Sequence, residues 1–152
     1  MSDPGATRVI RASRSVVYRA LLDAEAVERW RAPDGMTATV HVWEPVVGGS
    51  FRVSLTYDDP SRAGKSSPAT DTYCGTFAEL LAGTRLVEVL EFETDDQDLA
   101  GPLTVTTTLA DAAGGTQVTV AFGGLPAAVA PEDNATGTSM ALANLAALVE
   151  AG

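Results

Sequence analysis

Residues 40–57 read VHVWEPVVGGSFRVSLTY, and this stretch decides the fold class. After the Gly48-Gly49 pair, apolar and polar residues alternate strictly from Phe51 to Tyr57. A period of two is typical of a β-strand with one buried face, and a Gly-Gly pair between two such runs indicates a hairpin. The stretch therefore predicts two antiparallel strands, at residues 40–43 and 51–57.

The same period continues toward the C-terminus, so the middle of the chain is predicted to be a series of antiparallel strands. Four further strands are predicted, at residues 72–80, 85–93, 103–109 and 116–122. The polar residues 58–71, which include Pro60 and Pro68, are predicted to form a long mobile hairpin loop that is dispensable for folding.

Helical spacing is confined to the two ends of the chain. A strand at 7–12 is followed by two short helices, for which Ser13 and Asp23 are the predicted N-caps. One long helix is predicted over residues 132–150. Gly137 in this helix predicts close packing or a bend, because glycine weakens a helix by about 1 kcal/mol relative to alanine. The apolar face of the helix consists of Leu142, Leu145, Leu148 and Val149.

Together these elements predict an α+β fold in a single domain, residues 1–152, with its core at about 7–150. A sheet must cover its apolar face, and the long helix is the only predicted element of the right length. We therefore expect a curved antiparallel sheet of about six or seven strands wrapped around the C-terminal helix, with the short helices closing one end. The space between sheet and helix is a natural site for a small molecule.

Composition excludes several classes of function. One Cys and one His argue against a disulfide framework and against zinc sites built from several thiolates or imidazoles, so we expect no metal and no cofactor. The net charge of −10 lies entirely in residues 63–152, which argues against nucleic acid and anionic membranes as partners. The chain has no apolar run long enough to span a bilayer and no signal-peptide pattern, so a cytoplasmic protein is expected.

Several local motifs resemble the SRPBCC superfamily, the START and birch-pollen-allergen fold, and within it the bacterial branch related to the activator of the heat-shock-protein ATPase. Their order and spacing carry the resemblance: VYRALLDAEAVERW at 17–30, EPVVGGSFR at 44–52, GTFAEL at 75–80, GGTQVTV at 114–120, and Gly137 with the leucines of the last helix. The chain departs from the family pattern at Val46, where an Arg is frequent, and at Thr138, where a Trp is frequent. The loop at 58–71 is also longer than usual.

The resemblance implies a helix-grip fold, but the superfamily has no universal catalytic residues, so fold analogy alone does not assign a reaction. Our first hypothesis is a binding protein for a small apolar or aromatic molecule, working as a monomer or homodimer. The second is an enzyme in the manner of the polyketide cyclases that share this fold. The third is an interaction module similar to the co-chaperone relatives.

Nine residues are candidates to line the cavity: Trp30, His41, Trp43, Tyr57, Tyr73, Glu88, Leu90, Thr138 and Met140. Glu88 is the most informative, because it lies between Leu86 and Leu90 on one face of a strand, and burial would raise the pKa of its carboxyl. The alternative is that Val87 and Val89 face inward instead.

The other candidates also have structural alternatives. Trp30 fits either the cavity wall or the core between helix and sheet. His41, the only histidine, is the one side chain with an ordinary pKa near neutrality, although a lone strand histidine is usually structural. Tyr57 and Tyr73 fit either a ligand contact or a cross-strand pair. Cys74 has no basic neighbour in sequence and is expected to be a small buried residue. Thr138 is expected to enlarge the cavity, with Met140 as the local filler.

Overall fold

The computed structural model describes residues 2–59, 61 and 69–150. In chain order its elements are β1 (Ser2–Ile10), α1 (Arg14–Leu22), α2 (Ala24–Trp30), β2 (Met36–Trp43), β3 (Ser50–Tyr57), β4 (Thr70–Leu81), β5 (Arg85–Phe92), β6 (Leu103–Ala112), β7 (Gly115–Gly123) and α3 (Pro131–Glu150). The seven strands form one antiparallel sheet in the order β1-β7-β6-β5-β4-β3-β2. The sheet is curled into a half-barrel beside α3, which confirms the predicted α+β helix-grip fold.

The N-terminal caps follow the sequence prediction. The Ser13 hydroxyl accepts a hydrogen bond from the backbone N–H of Val16 at 3.3 Å, and the Asp23 carboxylate accepts one from Glu25 at 3.0 Å. Each cap satisfies a donor that the first helical turn leaves without a partner. Asp23 therefore ends α1 and begins α2, which fixes the sharp turn between the two short helices.

The turn between β2 and β3 requires glycine at both Gly48 and Gly49. Gly48 has a φ of +83°, which favours glycine, and a Cβ on Gly49 would collide with the carbonyl oxygen of Glu44. The Glu44 carboxylate accepts a hydrogen bond from the Ser50 N–H at 3.0 Å. The backbone of Phe77 on β4 bonds both glycines, at 2.8 and 3.0 Å. Glu44, Gly48 and Gly49 thus form the turn between β2 and β3.

Helix α3 packs chiefly on β1, α1 and α2. Its buried residues are Ala141, Leu142, Leu145 and Ala146, and Leu145 is completely buried. Leu148, predicted to be buried, is only half-buried, because it borders a surface groove between α3 and the two short helices. At the end of α3, the Glu150 carboxylate accepts a hydrogen bond from the Arg11 N–H at 2.8 Å, which lowers the pKa of this carboxyl.

Several element ends differ from the sequence prediction. The first strand ends at Ile10, since Arg11 and Ala12 form the turn into α1. Helix α3 begins at Pro131, where its missing N–H is no loss. Arg62 and Lys65, in the loop predicted to be mobile, lie outside the described residues. Asp71, assigned to that loop, instead belongs to β4 and is buried.

Of the two expectations for Gly137, close packing or a bend, close packing is wrong. A Cβ added there would lie 3.6 Å from the Pro33 side chain, which is an ordinary van der Waals contact. Among the described residues, no helix combines the length and apolar character needed to cross a membrane.

The core assignment of α3 is tested by a matched pair of substitutions. Leu145→Ala removes a completely buried side chain and should lower the free energy of unfolding by about 2–5 kcal/mol. Leu148→Ala makes the same chemical change at a half-buried position on the same helix and should have a clearly smaller effect. Chemical denaturation measures both. A loss of less than about 1 kcal/mol for Leu145→Ala would contradict the packing described here.

Candidate functional site

A groove runs between α3 and the concave face of the sheet and narrows into a small inner chamber. The groove has a volume of about 370 Å³ and the chamber about 40 Å³. Six residues line both spaces and so mark the passage between them: Arg31, Tyr73, Leu90, Val105, Phe122 and Thr138. The arrangement is a groove that ends in a small pocket.

The chamber wall is mostly apolar, with a few polar side chains. The apolar part comes from the helices and the inward faces of β5, β6 and β7: Leu21, Trp30, Leu90, Val105, Val120, Phe122, Ala141 and Leu142. The polar part consists of Arg31, Tyr73, Glu88, Thr107 and Thr138. The chamber is large enough for a few water molecules or the end of a ligand, since one water needs at least about 10–15 Å³.

The outer groove has a more polar rim. Asp34 follows α2 and Asp133 lies in the first turn of α3, and both are exposed at the groove. Tyr57, Phe92 and Met140 line the groove but not the chamber. An anionic molecule approaching this rim would meet like charges.

Glu88 is the acidic residue that lines the inner chamber. It lies on β5 between the buried Leu86 and Leu90, so the two-residue period turns all three toward the concave side. Within the described part of the chain, no group hydrogen-bonds its carboxyl. Burial raises the pKa of Glu88 to about 7, and the nearby positive charge of Arg31 opposes this rise.

Arg31 and Tyr73 form a pair beside Glu88. Arg31 follows α2 directly, and its Nε donates a hydrogen bond to the Tyr73 hydroxyl at 3.1 Å. Its guanidinium carbon lies 5.4 Å from the centre of the Tyr73 ring, within cation–π range. Burial raises the pKa of Tyr73, an effect that Arg31 opposes. The phenol is therefore a neutral hydrogen-bonding group at physiological pH.

Sequence reasoning missed Arg31 and Thr107. Arg31 follows Trp30, which was already a candidate, and a cation next to a predicted cavity residue was an available signal. Thr107 is buried and interrupts the apolar series of Val105 and Leu109 on β6. The same pattern, a polar residue on an apolar strand face, had singled out Glu88.

The two tryptophans have different positions. Trp30 lines the chamber, and its indole N–H donates to the Ala20 carbonyl at 3.0 Å, so it is both wall and packing residue. Trp43 does not line the cavity. It packs edge-on against Phe77, with ring centres 5.2 Å apart, and donates to the Leu22 carbonyl at 2.7 Å. Its prediction as a cavity residue is wrong.

A β-bulge at His41 sets which side of the end of β2 faces inward. Val40 pairs with Val53 and Val42 with Arg52, so His41 is an extra residue in β2. The bulge shifts the alternation, so Trp43 faces inward while Val42 is 40% exposed. His41 itself is exposed, and its Nε2 lies 2.8 Å from the Ser54 hydroxyl oxygen, away from the cavity. Its prediction as a cavity residue is wrong.

Cys74 is half-buried and borders a surface pocket next to Arg52 and Glu91. Burial and the negative charge of Glu93 raise the pKa of its thiol. The thiolate is therefore not favoured, consistent with a structural residue. Among the described residues, no group of His, Cys, Asp and Glu side chains is arranged to hold a metal ion.

Thr138 lies at the passage between groove and chamber. It is half-buried, and its hydroxyl donates to the Asn134 carbonyl at 2.8 Å within α3. Its side chain fills little of the space there, since a Trp in the same place would bury about 150–250 Å² of surface. Met140 borders the groove and leaves the chamber unfilled.

Comparison with known proteins agrees with this architecture. Residues 11–150 match the family model described as "Activator of Hsp90 ATPase homolog 1-like protein". A crystal structure from Chromobacterium violaceum is similar at 32% identity and a TM-score of 0.83, over 95% of this chain and 94% of that one. The AHSA1-like protein from Aeromonas hydrophila is similar at 25% identity and a TM-score of 0.73, over 99% and 92%. No curated protein matches the sequence. The chain belongs to the family of proteins like the activator of Hsp90 ATPase homolog 1, in the SRPBCC superfamily.

Proposed function

We propose that the protein binds a small, largely apolar molecule in the groove between the sheet and α3. One observation carries the proposal: an apolar groove of about 370 Å³ ends in a chamber where Arg31, Tyr73 and Glu88 converge. The groove volume lies within the range of about 300–1,000 Å³ that is usual for small-molecule sites. Apolar walls provide affinity, and a few convergent polar groups orient the ligand.

A second candidate function, an enzyme similar to the polyketide cyclases, is favoured by Glu88. A carboxyl with a pKa of about 7 is half-protonated at neutral pH and so can act as a general acid or base. It lines the same chamber as the Tyr73 hydroxyl, which could polarise a carbonyl. His41 is not part of this group, because it lies outside the cavity. The enzyme hypothesis therefore rests on two residues, and simple binding is the better supported function.

The third hypothesis, a protein-interaction module, has weaker support. The exposed large apolar side chains of the described residues are distributed over α1, the edge strands β1 and β2 and the end of β4, with Val46 and Val47 adjacent at one turn. Such scattered exposure is normal on a protein surface, whereas a docking site is a continuous patch.

The binding proposal is tested by filling the passage. Thr138→Trp should weaken binding of the neutral dye Nile red by at least about tenfold, because the indole would occupy the passage to the chamber. The control is Ser139→Trp, which adds the same group at an exposed position on the same helix and should leave dye binding unchanged. Fluorescence titration gives both affinities. Equal dye affinity in Thr138→Trp and the parent protein would contradict the proposal.

The ionisation of Glu88 is tested by the pH dependence of stability. Its pKa of about 7 lies above the ordinary value of 4.5, so the folded state binds the proton more tightly. The charged form is disfavoured in the folded state, and stability is lost as the pH rises from about 4.5 to 7. Glu88→Gln should therefore match the parent below pH 4.5 and exceed it by about 2–3 kcal/mol at pH 8.

Glu91→Gln is the matched control for this experiment, because Glu91 lies on the same strand but is exposed. That substitution should change the free energy of unfolding by less than about 0.5 kcal/mol. Denaturant titrations between pH 4.5 and 8 make the comparison. If the Glu88→Gln difference does not change with pH, the Glu88 carboxyl is not held in the apolar surroundings described here.

A further inference from the structure

Two ionisable side chains that line the inner chamber, Arg31 and Glu88, have polar atoms that form no hydrogen bond with the described residues. Arg31 uses only its Nε, toward Tyr73, so its two terminal nitrogens have no partner among the described residues. The Glu88 carboxyl likewise has none within the described ranges. The two groups form no ion pair with each other, although both line the same chamber of about 40 Å³. A ligand group that enters the chamber meets one strong donor and one strong acceptor.

The chemistry of these two partners restricts what the ligand group can be. An amine can donate to Glu88, but its charge would face Arg31. A carbonyl or ether oxygen can accept from Arg31 but has nothing to donate to the ionised Glu88 carboxylate. A hydroxyl group does both with one oxygen, since it accepts one hydrogen bond while donating another.

The charges along the entry path argue against an anionic ligand. Asp34 and Asp133 are exposed at the rim, and Glu88 lies at the inner end, whereas Arg31 is the one cation that lines either space within the described residues. The buried Asp71 also lines the groove, so a carboxylate would pass three aspartates before it faced Glu88. A neutral hydroxyl avoids this repulsion and fits a chamber of this size.

We propose that the chamber binds the hydroxyl end of a neutral, largely apolar alcohol or phenol, whose oxygen accepts from Arg31 and whose hydrogen is donated to Glu88. The inference rests on the proposed function, because it names the ligand class of the same cavity. The remainder of the ligand lies in the outer groove against Leu90, Val105 and Phe122, which line both spaces.

Three matched probes test this inference: 2-naphthol, 2-methoxynaphthalene and 2-naphthoate. They share one ring system and carry a hydroxyl, an ether that only accepts, and a carboxylate. Titration of the full chain at pH 8, where most of the Glu88 carboxyl is ionised, should give at least about tenfold tighter binding of 2-naphthol than of either other probe. Hydrogen bonds to charged groups are strong enough for such a preference.

Substitution of Glu88 assigns the preference to that residue. Glu88→Leu should reduce the preference of naphthol over its ether to within about threefold and leave the affinity for the ether unchanged. Glu91→Leu, the same change at an exposed position of β5, should retain the full preference. Arg31→Met is the second variant. It should weaken both naphthol and ether, because both accept from the guanidinium.

The outcomes separate the two proposals. Equal binding of the three probes, or tightest binding of naphthoate, overturns the hydroxyl assignment and leaves the binding function standing. An undiminished preference for naphthol in Glu88→Leu overturns it as well, and so does unchanged binding in Arg31→Met. If none of the probes binds while Nile red does, the ligand class is wrong. If neither the probes nor Nile red bind, both proposals fail.

Discussion

The structure depends on the burial of one face of α3 against only one side of the curled sheet. Leu145 is completely buried there, and α3 contacts β1, α1 and α2 rather than the middle of the sheet. The bond between Glu150 and the Arg11 N–H holds the end of the helix at that side. The sheet curves away from the opposite flank of α3, which leaves the groove. Packing at one edge is therefore what keeps a cavity open elsewhere.

Some of the polar side chains that line the cavity lower the stability of the folded protein, because they are partly removed from water without full hydrogen bonding. An apolar chamber disfavours a charge, so the Glu88 carboxyl binds its proton more tightly than it would in water. Arg31 is held over Tyr73 by a hydrogen bond and a cation–π contact, yet most of its donors have no partner in the part of the chain that the structure describes. Groups that are costly to bury and incompletely paired are typical of binding and catalytic sites rather than of structural cores.

The two departures from the family pattern, at Val46 and Thr138, affect different parts of the structure. Val46 is 61% exposed at the turn between β2 and β3, distant in the fold from the groove lining, and an Arg there would extend into solvent. Thr138 lies at the passage between groove and chamber, where side-chain volume decides whether the two spaces connect. The exchange at 138 therefore changes the lining of the cavity, and the exchange at 46 changes the protein surface.

The order of elements, the antiparallel sheet and the long helix could be predicted from the sequence, because they follow from residue periodicity and local turn chemistry. The Ser13 and Asp23 caps and the Gly48-Gly49 turn are short-range features and were predicted correctly. The composition of the cavity was predicted only in part. Trp30, Tyr73, Glu88, Leu90 and Thr138 line the chamber, and Tyr57 and Met140 line the groove.

Tertiary structure alone decided the rest. An extra residue at His41 changes which side of β2 faces inward, and a bulge of this kind is set by pairing with β3 rather than by local sequence. That single residue turned Trp43 toward the core. Arg31 joined the site because the end of α2 packs over Tyr73, a residue 42 positions away in the chain. Contacts between residues so distant in sequence depend on how whole elements pack, and periodicity within one element carries no information about them.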